Sequence, residues 1–230
     1  MKSESAARRL PPRAGAKIAA LVVAALFGAA GAHADLVVVQ KVEGGGQSGE
    51  QTIRVKGDKA RCDIAGAVSV IVDGERGEST TLVHAQRGFL TLTPERSKVM
   101  LEKMKARAPQ ESVKLQPTAK KEKVGDYQCE IYTAEVGNVK LTYWLAPEYP
   151  NYQAILAQLD VMENSPLAPA RNGLAPRTKD LPGMPMKIVS EMSGQKQTIT
   201  LISAKEENVD PAIFVIPKGY KEMPAPPVKE

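Results

Sequence analysis

The chain has 230 residues, 43% of them hydrophobic and 25% charged, with a formal net charge of +5. That charge is unevenly placed: residues 1–34 hold five Lys and Arg against one Glu, a net of +4, so the remaining 196 residues carry only +1. A nucleic-acid-binding protein needs a concentrated basic surface to displace counterions, so nucleic acid is excluded as the expected partner, and 196 residues suffice for one domain with a substantial core.

The first element is an apolar run from Ile18 to Gly31, shorter than the roughly 20 residues that span a bilayer. Arg8, Arg9, Arg13 and Lys17 precede it, and Ala32-His33-Ala34 follows as an A-x-A exit of small residues. A basic flank, a short apolar core and a small-residue exit describe a secretory signal peptide cut after Ala34. The expected mature chain begins at Asp35 and works in the periplasm with no integral membrane segment. No cysteine lies near the cut, so a lipid anchor there has no thiol to use.

Six strands are expected next, at 35–42, 50–56, 59–64, 68–73, 80–84 and 88–93, short and rich in β-branched residues. Gly44 to Gly49, Gly57-Asp58, Ala65-Gly66, Asp73-Gly74 and Arg87-Gly88 punctuate them. Links this short join antiparallel neighbours. The period then changes: Thr93 as N-cap, Pro94 at the first helical position and Pro109 beyond the end frame a helix with Met100, Leu101, Met104 and Ala108 on one face. A charged loop is expected over 109–124, then strands at 126–136 and 138–145 joined at Gly137-Asn138. A second helix runs from Asn151 to about Asn164, its apolar face formed by Tyr152, Ile155, Leu156, Leu159 and Met162. Four prolines and two glycines make 165–183 an extended loop. Two more strands follow, then a helical turn at Asp210-Pro211, an apolar anchor at Phe214-Val215-Ile216 and a disordered tail over 224–230. The expected fold class is α+β: a strongly curved antiparallel sheet with two helices covering its concave face, one domain over 35–223.

The segments "DLVVVQKV", "KGDKARCDI", "VIVDGERGESTTLVHAQRGFLTLTPE", "GDYQCEIY", "LPGMPMKI" and "VDPAIFVIPKGYKEM" resemble the bacterial exported family called domain of unknown function 4412. The resemblance covers nearly all of 35–223 and is most specific in F-x-x-P-x-G-Y-K-x-M, Phe214 to Met223. The family is similar in layout to LolA and LolB, carriers of outer-membrane lipoproteins. The resemblance implies a half-open β-barrel closed by helices over an apolar cavity, and it brings no catalytic residues. The lipoprotein cysteine of LolB-type proteins is missing, which argues against a tethered acceptor.

The remaining motifs carry little chemistry. Gly44, Gly46 and Gly49 spell G-x-G-x-x-G, but a strand follows where a dinucleotide site needs a helix, so this reads as a hairpin loop. His84 is the only imidazole after the leader and reads as an ordinary sheet residue; no G-x-S-x-G is present. One histidine and two distant cysteines give no metal spacing. No catalytic, cofactor or metal residues are expected. Cys62 and Cys129 form either a disulfide, as an even count in an exported protein suggests, or two separate buried thiols. Met100, Leu101, Met104, Ile155, Leu156, Leu159 and Met162 are the candidates to line an apolar ligand site, or to fill the hollow as core. The expected function is a non-enzymatic binding or carrier protein for a lipid, lipoprotein acyl chain or other apolar ligand. The alternative is an envelope module with a filled core that docks a protein partner.

Overall fold

The computed structural model describes residues 34–46, 48–105, 113–166 and 175–224, leaving aside the side chains of 99–101 and 103–105. The signal-peptide segment and the expected disordered tail therefore lie outside the described residues, apart from Ala34 and Pro224.

The first six strands are β1 (Leu36–Gly44), β2 (Gly49–Lys56), β3 (Lys59–Ile64), β4 (Val68–Asp73), β5 (Glu78–Val83) and β6 (Gly88–Leu92). Helix α1 (Pro94–Lys105) follows, then β7 (Gln116–Val124), β8 (Tyr127–Val136), β9 (Val139–Ala146), helix α2 (Tyr152–Leu159), β10 (Met184–Met192), β11 (Gln195–Glu206) and the short β12 (Lys221–Glu222). All twelve join one open sheet in the order β12-β6-β5-β4-β3-β2-β1-β11-β10-β9-β8-β7. Every pairing is antiparallel except that of β12 with β6. The G-x-G-x-x-G stretch is the β1–β2 hairpin loop. Gly44 has φ +86°, and a Cβ there would strike the Lys196 carbonyl.

The sheet curls. Strands β3 and β8 lie six places apart in the order, yet Ala60 and Cys62 of β3 share one hydrophobic cluster with Cys129 and Ala134 of β8. Alternation explains which side is inner: Ile53, Val55, Ala60 and Cys62 are buried, while Arg54, Arg61 and Asp63 between them face the other way.

Thr93 caps α1 as its sequence predicts: its Oγ1 accepts from the Arg96 N–H at 3.2 Å. The second helix is shorter than expected: α2 ends at Leu159 and a 3-10 stretch continues over Asp160–Glu163. In this run, Leu156 and Leu159 pack into the core cluster. Ile155, at one end, stands beside Tyr127, Tyr149 and the start of β1; at the other, Val161 and Asn164 stand beside Gly74 in the β4–β5 turn.

Two expectations are corrected. The charged loop over 109–124 contains β7, an edge strand almost wholly exposed, Lys120, Lys121 and Lys123 included. It shows no apolar alternation because neither of its faces is buried, and charge and Pro117 blunt its open edge. Phe214-Val215-Ile216 do not bury the chain's end: Val215 and Ile216 are exposed. That end is instead held by hydrogen bonds.

Candidate functional site

A groove of about 540 Å³ opens beside the first turn of α2. Tyr149, Pro150 and Asn151 lead into the helix there, and Ala154, Ile155 and Gln158 form the helical wall. The opposite wall is Leu36 of β1, Tyr127 of β8 and Ala204, Lys205 and Glu206 of β11. Tyr127 and Tyr149 pack with ring centroids 4.8 Å apart at 39°, giving one end an aromatic surface of low conformational entropy. Burial pushes the Tyr149 hydroxyl above its ordinary pKa. The groove's lining is mixed: its apolar surface only slightly exceeds its polar surface, and Asn151, Gln158, Lys205 and Glu206 are among the residues that form it.

The seven predicted lining residues divide. Ile155 lines the groove. Leu156 and Leu159, 1% and 8% exposed, belong to the core beneath it, and Met162 is half-buried against that core. Met100, Leu101 and Met104 lie outside the described side chains. Sequence periodicity finds the helix face but does not tell its groove side from its core side, and it gives no sign of Tyr127, Tyr149 or Ala204.

The disulfide alternative for Cys62 and Cys129 is corrected: both thiols are free and buried. Their strands meet in one core without being sheet neighbours. Burial, with the Asp63 charge adding to it, pushes the Cys62 thiol up to about 11. Burial also raises Cys129, whose Sγ donates to the Tyr127 carbonyl at 3.7 Å. Neither is a reactive thiolate.

The outer face carries a polar network that sequence patterns do not reveal. His84 is not a plain strand residue; it opens a 3-10 turn, His84–Gln86, after β5. Its Nε2 lies 2.7 Å from Ser69 Oγ and its Nδ1 lies 2.6 Å from the Tyr220 hydroxyl. Ser69, wholly buried, donates to Asp63 Oδ1 and accepts from Arg61 Nη2 at 3.0 Å. Arg61 also donates to Asp63 at 2.7 Å and to the Ile213 carbonyl at 2.7 Å, and Arg54 donates to Asp63 at 2.6 Å. Desolvation pushes the Asp63 carboxyl up, but hydrogen bonds from Ser69 and Arg61 and the charges of Arg61 and Arg54 outweigh it and hold it below its ordinary value.

The proton count decides what this can do. Ser69 has one proton, and the Asp63 carboxylate takes it. With that proton turned to Asp63, Ser69 Oγ is left to accept from the His84 Nε2–H, and the other ring nitrogen, Nδ1, meets the Tyr220 hydroxyl. A nucleophile–base pair needs the reverse, a serine proton offered to the imidazole and an exposed Oγ. The arrangement works as a clasp. It fastens the C-terminal strap, 209–223, across the outer face, helped by β12 on β6 and by the Arg96–Glu222 pair at 2.7 Å. Tyr220 lies inside the F-x-x-P-x-G-Y-K-x-M motif, which was the available signal.

Among the described residues no group of three or more His, Cys, Asp or Glu converges to hold a metal. None of their helices is long and apolar enough to cross a membrane.

No curated protein matches the sequence. Among solved structures, PNGF-II is similar at 13% identity and TM-score 0.41 over 84% of this chain but only 31% of its own length, so this chain spans about a third of that protein. The Mycobacterium tuberculosis lipoprotein LppX is similar at 10% identity and TM-score 0.38, over 77% of this chain and 88% of that one. A LolA superfamily protein from Nitrosomonas europaea is similar at 10% identity and TM-score 0.28, over 79% of this chain and 89% of that one. These distant likenesses transfer no ligand or activity. The family described as Domain of unknown function (DUF4412) matches residues 37–220, nearly all of the described fold. By that match the chain belongs to the DUF4412 family.

Proposed function

We propose that this is an exported, non-enzymatic binding or carrier protein that holds an apolar chain, such as a lipid or lipoprotein acyl group, in the groove beside α2. The observation that carries this reading is the groove itself: about 540 Å³, walled by Leu36, Tyr127, Tyr149, Ala154, Ile155 and Ala204. That volume falls within the roughly 300–1,000 Å³ of small-molecule sites, which are lined mainly by apolar and aromatic groups. Each acyl methylene buried there contributes about 0.8 kcal/mol. Lys205, in the groove wall, offers a cation to a carboxylate or phosphate at the chain's head. In this reading α2 is one cover of the hollow and α1 the second, and the ligand does not react.

The compartment follows from the leader. Asp35, the residue after the expected cut, already belongs to the fold: its carboxylate pairs with Lys56 and accepts from the Val209 N–H at 2.9 Å. Cleavage after Ala34 thus spares the first clamp of the domain.

The test is twofold. Mass spectrometry of gently purified protein should find a co-purified lipid, and a fluorescent fatty acid should bind. Ala154→Trp, at an exposed groove position, should weaken the probe more than ten-fold while leaving unfolding unchanged. No lipid in repeated preparations and no probe binding would overturn the reading.

A further inference from the structure

The strap presents an apolar knuckle in solvent. Val215 is 60% exposed and Ile216 is 37% exposed, and Pro217 beside them is exposed too. Cations flank the knuckle. Lys218 and Lys221 are exposed on the same short segment, and the Lys221 N–H donates to the Arg87 carbonyl at 2.9 Å, which brings the exposed Arg87 alongside. Among the described residues Arg87, Lys218 and Lys221 form no ion pair. Of the acids on the strap, Glu222 pairs with Arg96, while Asp210 accepts from the Ala212 N–H at 2.9 Å at the far end, where the 3-10 turn Pro211–Phe214 starts.

The knuckle is tethered on both sides. Arg61 grips the Ile213 carbonyl before it, and His84 grips Tyr220 after it. The Met223 N–H then donates to the Phe89 carbonyl at 2.7 Å. Two β-branched apolar side chains are thus exposed on a tethered segment, beside cations that form no ion pair among the described residues.

We propose that this knuckle docks the protein on an anionic bilayer, with Val215 and Ile216 entering the interface and Lys218, Lys221 and Arg87 lying against lipid phosphates. A bilayer fits better than a protein partner for two reasons. Two side chains are far short of the roughly 1,200–2,000 Å² that a stable protein interface buries. A weak apolar anchor beside a basic cluster is, by contrast, the pairing that gives reversible membrane attachment. A preformed knuckle also loses little conformational entropy on docking. The proposal rests on the strap and is independent of what the groove holds.

The experiment is vesicle co-sedimentation of the full chain as recovered from the cell, against variants identical at the N-terminus, so that any leader contribution cancels. Vesicles of phosphatidylglycerol mixed with phosphatidylcholine are compared with phosphatidylcholine alone. Each cation near an anionic surface strengthens binding about five-fold, so Lys218→Gln with Lys221→Gln should weaken binding to the anionic vesicles about 25-fold. Val215→Ser with Ile216→Ser should weaken binding to the anionic vesicles at least ten-fold. All four side chains are exposed, and circular dichroism and unfolding midpoints should not move. Binding that neither pair of substitutions changes overturns the proposal. So does binding lost with the lysines but untouched by the serines, since that surface reads charge alone, as an acidic protein partner would.

Discussion

Leu156→Ala separates the two sides of α2. Leu156 is 1% exposed within the cluster that joins Leu36, Cys62, Leu145 and Met184. Truncating it loses the transfer energy of a nearly complete leucine side chain and leaves a cavity. The helix is tied at its far end by the 3-10 stretch against the β4–β5 turn, so it cannot simply sink into the space. We expect a loss of about 3–4 kcal/mol, near the middle of measured leucine truncations. The single tryptophan, Trp144, gives the fluorescence readout: its Nε1 donates to Glu122 and Lys187 sits 4.0 Å from its ring centroid, surroundings that unfolding replaces with water. In urea, with a slope of about 1–3 kcal/mol per molar, the midpoint should fall by about 1–4 M with the slope unchanged. Ile155→Ala, one residue away but facing the groove, should cost about 1 kcal/mol or less and should instead weaken fatty-acid binding, because a half-exposed side chain leaves no closed cavity. A loss below about 1 kcal/mol for Leu156→Ala, or equal losses for the two variants, would show that α2 does not pack into the core through Leu156 as described.

Two further outcomes follow from the clasp and the thiols. The folded Asp63 carboxyl titrates below its ordinary value near 3.8, so it contributes stability above that pH and loses it as pH falls toward the folded pKa. Asp63→Asn should therefore flatten the acid limb of stability below about pH 4; an unchanged limb would mean the Ser69–Asp63–Arg61 network contributes nothing. Thiol titration of denatured, unreduced protein should count two thiols, and the native protein should react slowly because both are buried and Cys62 is pushed up to about 11. A count of zero would require a disulfide and refute the free-thiol core.

The strands were legible because their chemistry is local. β3 and β4 fall on their predicted residues, Lys59–Ile64 and Val68–Asp73, since alternation and tight turns leave little freedom within a hairpin. The α1 cap was legible for the same reason: Thr93, Pro94 and Arg96 interact within one turn. β7 was hidden because an edge strand needs no buried face, and "QPTAKKEKV" reads as solvated chain until Tyr127–Val136 pairs with it.

What the sequence determined alone is the antiparallel pairing of neighbouring strands, the apolar face of α2 and the family, all properties of neighbours along the chain. Only the tertiary structure decided that Tyr127, Tyr149, Ile155 and Ala204 share a groove. Only there does Tyr220 reach back 136 residues to His84, leaving Val215 and Ile216 outside. The physical reason is curvature and closure: which residues meet across a curled sheet depends on the summed twist and packing of twelve strands, and no stretch of sequence holds that sum.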